Sequence, residues 1–246
     1  MTYKCTSGQI GVPPIELAVA VPASLSALPC SAGLQVTAED KVWGPGEFMF
    51  ARASAAIRQY GLCCLTQVWD ATNKVFTWNM GEAPSTTIMG RPVYVSMAAL
   101  TTGQYGWFMQ SGVAPVNCNA SVAADTTFAI AATGQGGALA AGKQVVNARI
   151  ITAGTQTVTA TGSGISGDNV INLSSTDGFI LGGVLTGTGV GASAKVSFID
   201  PMGRYVIVTV VNSGAVSGTI TCTYNDATIF FNVATLNQAF AQGAIT

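Results

Sequence analysis

Histidine is absent from this chain of 246 residues, and charged side chains are scarce, with ten basic and eleven acidic residues. Histidine titrates near neutral pH and is the commonest metal ligand and acid–base group in proteins. The charged fraction of 9% is far below the usual share of about a quarter in globular domains. A chain with so few titrating groups has few side chains that could act as catalytic acids, bases or metal ligands. The sequence therefore predicts that it is not an enzyme and that it holds no cofactor and no metal.

The distribution of charged and apolar residues also argues against several kinds of partner. The ten basic residues never cluster, so we expect no nucleic-acid binding, which needs a basic patch to neutralise phosphates. The longest apolar stretch, residues 17–38, is interrupted by Pro22, Pro29 and Gly33, so no membrane span is expected. Because Lys4 is followed by polar residues, no secretory signal is expected either. A monomer relies on surface charge to resist self-association, so we expect much of the surface to be covered by neighbours.

The six cysteines, at positions 5, 30, 63, 64, 118 and 222, form no C-x-x-C pair. The sequence predicts buried free thiols in a reducing cytosol. Cys63 and Cys64 are adjacent in a predicted strand, so their side chains point to opposite faces and could not share one metal without distortion. Two glycine-rich stretches, 137–144 and 187–192, resemble nucleotide-binding loops. Each precedes a predicted strand where such a loop needs a helix, so both are interpreted as turns.

Three regions of the chain differ in amino-acid composition, and together they predict an all-β architecture. Residues 1–36 contain only two charged side chains and predict an extended N-terminal arm along a neighbouring subunit. Residues 37–154, with 227–246, predict a β-barrel or sandwich domain whose strand candidates are rich in β-branched and aromatic residues. Residues 155–226 are rich in Thr, Ser, Gly and Val and predict an inserted small antiparallel sandwich or barrel. Five strands are predicted in it, at 170–174, 179–185, 194–200, 204–211 and 218–224.

Aromatic side chains in the first β region allow two interpretations. Alternate strand residues can simply fill the core, and aromatics can also form an interface or a sugar-binding platform. Together with the apolar positions of the arm, they supply the candidate capsid or subunit interface: Ile10, Val12, Ile15, Leu17, Trp43, Phe48, Tyr105 and Trp107.

Several stretches resemble tailed-phage head decoration (cement) proteins. Trp-Gly-Pro-Gly-Glu-Phe at 43–48, followed by Ala-Arg-Ala, resembles the glycine–glutamate–aromatic stretch near the start of that family. Tyr-Gly-Trp-Phe-Met-Gln-Ser-Gly at 105–112, followed by Val-Ala-Pro-Val, is similar to its glycine–tryptophan hairpin. The Ala/Gly-rich stretch at 134–150 is similar to the corresponding region. Residues 168–224 resemble a small all-β module of virion proteins.

The resemblance implies a structural virion protein, often trimeric, on the outer surface of an icosahedral phage head, made in the host cytoplasm. Its partners would be the major capsid protein and further copies of itself, and it would lock capsomers against internal DNA pressure. The arm would add strands to a neighbour's exposed sheet edge. The simplest members of the family lack residues 155–226, and we expect this insertion to project outward.

Three other functions compete with head decoration. The β module at 168–224 is also compatible with a receptor- or glycan-binding subunit of a phage tail fibre or spike. A major capsid shell protein would need a long periodic spine helix, and the sequence predicts none. A glycan hydrolase would need a carboxylate pair or another nucleophile–base constellation, which the scattered acids do not favour.

Overall fold

The computed structural model describes residues 3–6, 12–22, 27–71, 74–85, 90–152, 156–225 and 230–242. Within these ranges the chain is all-β, as predicted. The strands are β1 Lys4–Cys5, β2 Gln35–Asp40, β3 Gly44–Ala53, β4 Leu62–Asp70, β5 Val75–Glu82, β6 Val93–Ser96, β7 Tyr105–Cys118, β8 Ala129–Ala132, β9 Gln135–Gly137, β10 Val145–Thr152, β11 Thr157–Gly164, β12 Val170–Leu173, β13 Val184–Thr188, β14 Val196–Ile199, β15 Tyr205–Val208, β16 Val216–Thr223 and β17 Phe230–Ala241.

The strands belong to two compact units, which are described separately. The barrel unit comprises Tyr3–Glu39, Gly44–Gly154 and Phe231–Thr246, and the second unit comprises Asp40–Trp43 and Thr155–Phe230. The long segment of the second unit thus begins where the composition changes to mostly Thr, Ser and Gly. No helix in the described ranges has the length and apolar character needed to cross a membrane.

The barrel unit is built on five strands whose pairings close on themselves. The order is β3, β5, β4, β6, β7 and back to β3, with one parallel pair, β3–β5. Successive strand residues point to opposite faces, so Met49, Ala51 and Ala53 of β3 share the inner face. They join an interior cluster that includes Met80 and Phe108. The barrel therefore encloses a packed apolar core.

The opposite face of β3 and β7 carries a second layer of large side chains. Phe50 lies between Tyr105 and Trp107, with ring centroids 5.7 and 5.1 Å away. Gly112 allows β7 to pass close to the start of β3. It has a φ of +125°, and a Cβ there would lie 2.9 Å from the carbonyl oxygen of Pro45. Beyond this point the sheet continues from β7 to β17 and then β10.

The second unit is a six-stranded sheet in the order β13, β16, β11, β12, β15, β14. Its interior includes Phe179, Leu185 and Ile220, each at most 1% exposed. β14 and β15 are joined by a turn at 200–203, where the sequence has Asp-Pro-Met-Gly. There the Asp200 carboxylate accepts hydrogen bonds from the backbone N–H and the Nε of Arg204, at 3.2 and 2.8 Å.

The structure has a strand after each nucleotide-loop-like stretch, as the sequence predicted. β10 follows residues 137–144, and β14 follows residues 187–192. Gly187 and Gly189 have positive φ angles, which glycine adopts without the steric penalty of a Cβ. Neither stretch opens a helix that could present its N-terminus to a phosphate.

Candidate interaction surface

The candidate interface residues from the sequence fall into three groups. Ile10 lies outside the described residues. Val12 is half-buried, and Leu17 is 46% exposed. The remaining five are enclosed by the chain itself and belong to its core rather than to an exposed interface: Ile15, Trp43, Phe48, Tyr105 and Trp107.

The described stretch 12–22 of the arm lies against the barrel of its own chain. The indole Nε1 of Trp107 donates a hydrogen bond to the carbonyl of Pro13 at 3.1 Å. Val19 and Tyr105 exchange two backbone hydrogen bonds, of 2.7 and 2.9 Å. This stretch therefore covers aromatic residues of its own chain. The expected contact of the arm with a neighbouring subunit stays a prediction.

The exposed aromatic residues lie elsewhere, at the end of the β4–β5 hairpin. Four large apolar side chains, the hairpin patch, are open to solvent there: Val68, Trp69, Val75 and Phe76, at 47%, 52%, 39% and 61% exposure. The rings of Trp69 and Phe76 pack edge to face, with centroids 5.1 Å apart. Trp69 and Phe76 are paired and share one face of the hairpin, whereas Val68 and Val75 project from the other face. Adjacent exposed aromatic groups such as Trp69 and Phe76 mark interaction sites more often than single exposed groups do.

The pairing pattern explains why this patch is exposed. β4 and β5 pair over eight positions, from Cys63 with Glu82 to Asp70 with Val75. Their neighbours in the barrel are shorter, because β6 pairs with β4 only as far as Cys64, and β3 pairs with β5 only at Asn79 and Met80. Among the residues that the structure describes, the distal half of the hairpin is thus a two-stranded ribbon. Such a ribbon is marginally stable in water without further packing.

A groove runs beside the β5 side of this ribbon, with a volume of about 540 Å³. Its apolar wall includes Phe76 and Trp78 of β5, and Val21 and Pro22 of the arm face them. Arg52 adds a basic group to the lining. The groove is mostly apolar, so it suits a partner's apolar side chains better than a charged ligand.

Gly33 determines where the indole of Trp78 can lie. Its φ is +86°, and a Cβ there would come within 2.6 Å of the Trp78 ring. A side chain at this position would displace Trp78 from its place, where it packs against the interior cluster and forms part of the groove wall. The sequence alone marks Gly33 only as a break in an apolar run.

The buried cysteine thiols of the barrel unit are held in their protonated form. Burial raises the pKa of the Cys63 thiol well above its usual range, with a further contribution from the Glu82 carboxylate. Burial also raises the pKa of Cys64 to about 11 and that of Cys118 to about 12. Such thiols are protonated at neutral pH and are poor nucleophiles.

Several carboxylates in the described residues take part in separate ion pairs. In the barrel unit Arg58 Nε lies 2.9 Å from Glu82 Oε1, and in the second unit Lys41 pairs with Asp177. The Lys41 hydrogen bond lowers the pKa of Asp177. Among the described residues no three His, Cys, Asp or Glu side chains come together as a metal site would require.

The sequence contains a signal for the hairpin patch, although the interface candidates did not include it. Trp69 and Phe76 directly flank the six residues 70–75, Asp-Ala-Thr-Asn-Lys-Val, and so lie at equal distances from the middle of that stretch. In an antiparallel hairpin such residues face each other. Their burial, however, depends on how far β6 and β3 extend, which local sequence does not determine.

In comparisons with known proteins, the chain matches no family model, no curated protein and no solved structure.

Proposed function

We propose that this chain is a structural virion protein that decorates and cements the icosahedral head of a tailed bacteriophage. Its site would be the outer surface of the head, after synthesis in the host cytoplasm. The partners would be the major capsid protein and further copies of the chain, as in a homotrimer. The proposal involves no catalysis, cofactor, nucleic acid or membrane. It rests on the resemblance of residues 43–53 and 105–116 to decoration proteins and on one feature of the surface.

That feature is the hairpin patch, a two-stranded ribbon that exposes four large apolar side chains. A free protein with 9% charged residues and an exposed Trp–Phe pair is prone to association. Buried aromatic anchors supply much of the binding energy of protein interfaces. A lattice of capsomers offers permanent cover for such a surface, and covering it would stabilise both partners.

In this proposal the groove and Phe76 form the contact with the capsid. The groove is open, mostly apolar and about 540 Å³ in volume, enough to receive a few side chains of a capsomer loop. Phe76, which is 61% exposed and forms part of the groove wall, would pack against the same capsomer. The contact thus replaces the role that the sequence gave to Trp107 and Phe48, both of which the core encloses.

The proposal predicts that Phe76→Ser weakens capsid binding. Losing one aromatic anchor costs about 2 kcal/mol or more, which corresponds to roughly 30-fold in affinity. Phage heads that lack this protein are mixed with the purified chain and sedimented, and the protein bound to them is measured. The same heads are then heated, and the temperature at which they release DNA is recorded. Wild type is expected to bind and to raise the release temperature, and the variant to do so only at higher concentration.

Ile165→Ser is the matched control, because Ile165 is 74% exposed in the second unit and does not line the groove. It is expected to bind like wild type. Wild-type protein that neither binds heads nor changes their heat resistance would refute the decoration proposal. If the chain instead binds host cells or glycans in an adsorption assay, the tail-fibre alternative gains support.

A further inference from the structure

Arg52 is the basic residue that lines the groove, and it has no acidic partner among the described residues. It is exposed on β3, where it pairs with Tyr105 of β7. The ion pairs between described residues use four other basic side chains: Lys41, Arg58, Arg149 and Arg204. An arginine that lines an apolar groove without a carboxylate from its own chain can pair with one from a binding partner.

The surroundings of Gly103 show where the charged group of Arg52 lies. A Cβ at Gly103 would be 3.5 Å from Nη2 of Arg52 and 3.2 Å from Cγ2 of Val21. The guanidinium group and Val21 therefore lie close together, at one place on the surface of the barrel unit. Val21 belongs to the arm wall of the groove, which faces Phe76 and Trp78. The charge of Arg52 thus stands beside the apolar walls.

Asp70 is the other charged residue of the lining, and it belongs to the opposite end of the groove. It pairs with Val75 at the tip of the ribbon, whereas Arg52 pairs with Asn79. Four residues of β5 separate these two levels, which is about 13 Å at the rise of a strand. Both charged residues are described, and no ion pair joins them. The groove therefore has a basic end at the barrel and is as long as about four residues of an extended segment.

The apolar part of the groove lies at a fixed distance from this basic end. Phe76 and Trp78 are two positions apart on β5, so their side chains point to the same face. The middle of this aromatic wall is level with Thr77, two residues or about 7 Å from the level of Arg52. Binding sites of this kind take up an apolar group and orient it through a few placed polar contacts.

We propose that the groove binds an extended segment of the major capsid protein in which an Asp or Glu stands one or two positions from a large apolar residue. The carboxylate of this segment pairs with the Arg52 guanidinium, and the apolar side chain packs against Phe76 and Trp78. Side chains on one side of an extended chain repeat every two residues, about 7 Å, which matches the spacing in the groove. The inference rests on the proposed function and adds the chemistry of the capsid segment.

A carboxylate suits this groove better than a phosphate does. The planar fork of a guanidinium group matches the two oxygens of a carboxylate. Phosphate-bearing polymers bind where several basic groups converge, and Arg52 is the single basic residue among the described residues of the lining. The whole chain has a net charge of −1, so an acidic segment would be attracted locally, by Arg52, and not by the protein as a whole.

Arg52→Gln tests the charge in the sedimentation assay with phage heads that lack this protein. Because the variant removes a charge-assisted hydrogen bond that binding would enclose, it is expected to bind roughly tenfold or more weakly than wild type. Arg91→Gln is the matched control. Arg91 is also exposed and makes the same change of net charge, but it does not line the groove, so this variant is expected to bind like wild type.

Salt dependence separates an ion pair from a purely structural role of Arg52. The screening length falls from about 10 Å at 0.1 M to about 3 Å at 1 M ionic strength. The difference in affinity between wild type and Arg52→Gln is therefore expected to narrow as salt is raised, whereas the loss caused by Phe76→Ser persists. Arg52→Lys keeps the charge without the planar fork and is expected to bind with intermediate affinity. Equal thermal unfolding of wild type and Arg52→Gln shows that the variant is folded.

Overlapping peptides that cover the major capsid protein test the chemistry of the segment. Wild type is expected to bind peptides in which an Asp or Glu stands one or two positions from a large apolar residue. Replacing that acid by its amide is expected to weaken binding to wild type and to leave the weaker binding of Arg52→Gln unchanged, because the two groups act as a pair. Equal binding of acid and amide peptides to wild type overturns the inference.

The results with heads distinguish this inference from the proposed function. If Phe76→Ser weakens binding and Arg52→Gln does not, the inference is overturned and the proposed function stands. If Arg52→Gln and Arg91→Gln weaken binding equally, overall charge is responsible, and the inference is again overturned. Wild type that binds no heads overturns both.

Discussion

Raising the pH from 8 to 11 is expected to lower the free energy of unfolding of the barrel unit by about 5 kcal/mol. Burial raises the pKa of Cys64 from 9.0 to about 11 and that of Cys118 to about 12, so both thiols stay protonated in the folded chain. In the unfolded chain they ionise above about pH 9. Proton release on unfolding makes the free energy of unfolding fall as pH rises through this window. Below pH 8 these two groups leave stability unchanged.

The size of the effect follows from the two shifts. One pKa unit corresponds to 1.36 kcal/mol, so at pH 11 each thiol contributes a loss of about 2.5 kcal/mol, or about 5 kcal/mol together. That is comparable with the total stability of many domains, about 5–15 kcal/mol. Denaturant unfolding followed by near-ultraviolet circular dichroism at a series of pH values measures the loss. Cys63 adds to it in the same direction.

The double variant Cys64→Ala/Cys118→Ala isolates the thiols from other alkaline effects. Alanine cannot ionise, so the variant is expected to lose about 5 kcal/mol less than wild type between pH 8 and 11, whatever its stability at pH 8. Cys5→Ala is the comparison, because that thiol is partly exposed and its pKa is raised less by burial. Parallel pH profiles for wild type and the double variant would contradict the assignment.

The barrel was predictable because its strands follow local rules. β3 and β7 are rich in aromatic residues, and their alternate positions separate an inner face with Met49 and Ala51 from an outer face with Phe48 and Phe50. Which aromatic residues remain exposed was not predictable. Trp107 lies under the arm and Trp69 does not, although both stand in aromatic strands, because distant segments decide what is covered.

The second unit shows the same limit. The sequence predicts a strand at 179–185, but Phe179 and Ile180 lie in a buried irregular segment between Gly178 and Gly182, and β13 begins at Val184. Two glycines in the left-handed region override the β propensity of the apolar residues between them. Residues 157–164, too polar and glycine-rich to suggest a core strand, form β11, which pairs with β16 over eight positions.

Gly189→Ala is expected to destabilise the second unit more than a positive φ alone explains. Gly189 has a φ of +79°, and a Cβ there would lie 2.3 Å from the carbonyl oxygen and 2.6 Å from the carbonyl carbon of Ala215. Backbone atoms at the start of β16 cannot swing aside as a flexible side chain could. The left-handed conformation costs an L residue about 1–2 kcal/mol, and relief of the clash is expected to bring the total above about 4 kcal/mol.

Gly218→Ala separates the two contributions. Gly218 lies in the same sheet with nearly the same φ, +80°, but a Cβ there would meet nothing within 4 Å. Only the conformational cost of about 1–2 kcal/mol is expected for it. Thermal unfolding of both variants should show a shift of about 4–8 °C per kcal/mol for a unit of this size, with the larger shift for Gly189→Ala. Equal shifts would mean that β16 moves away at no cost, and that the close approach of Gly189 to Ala215 does not hold the sheet in place.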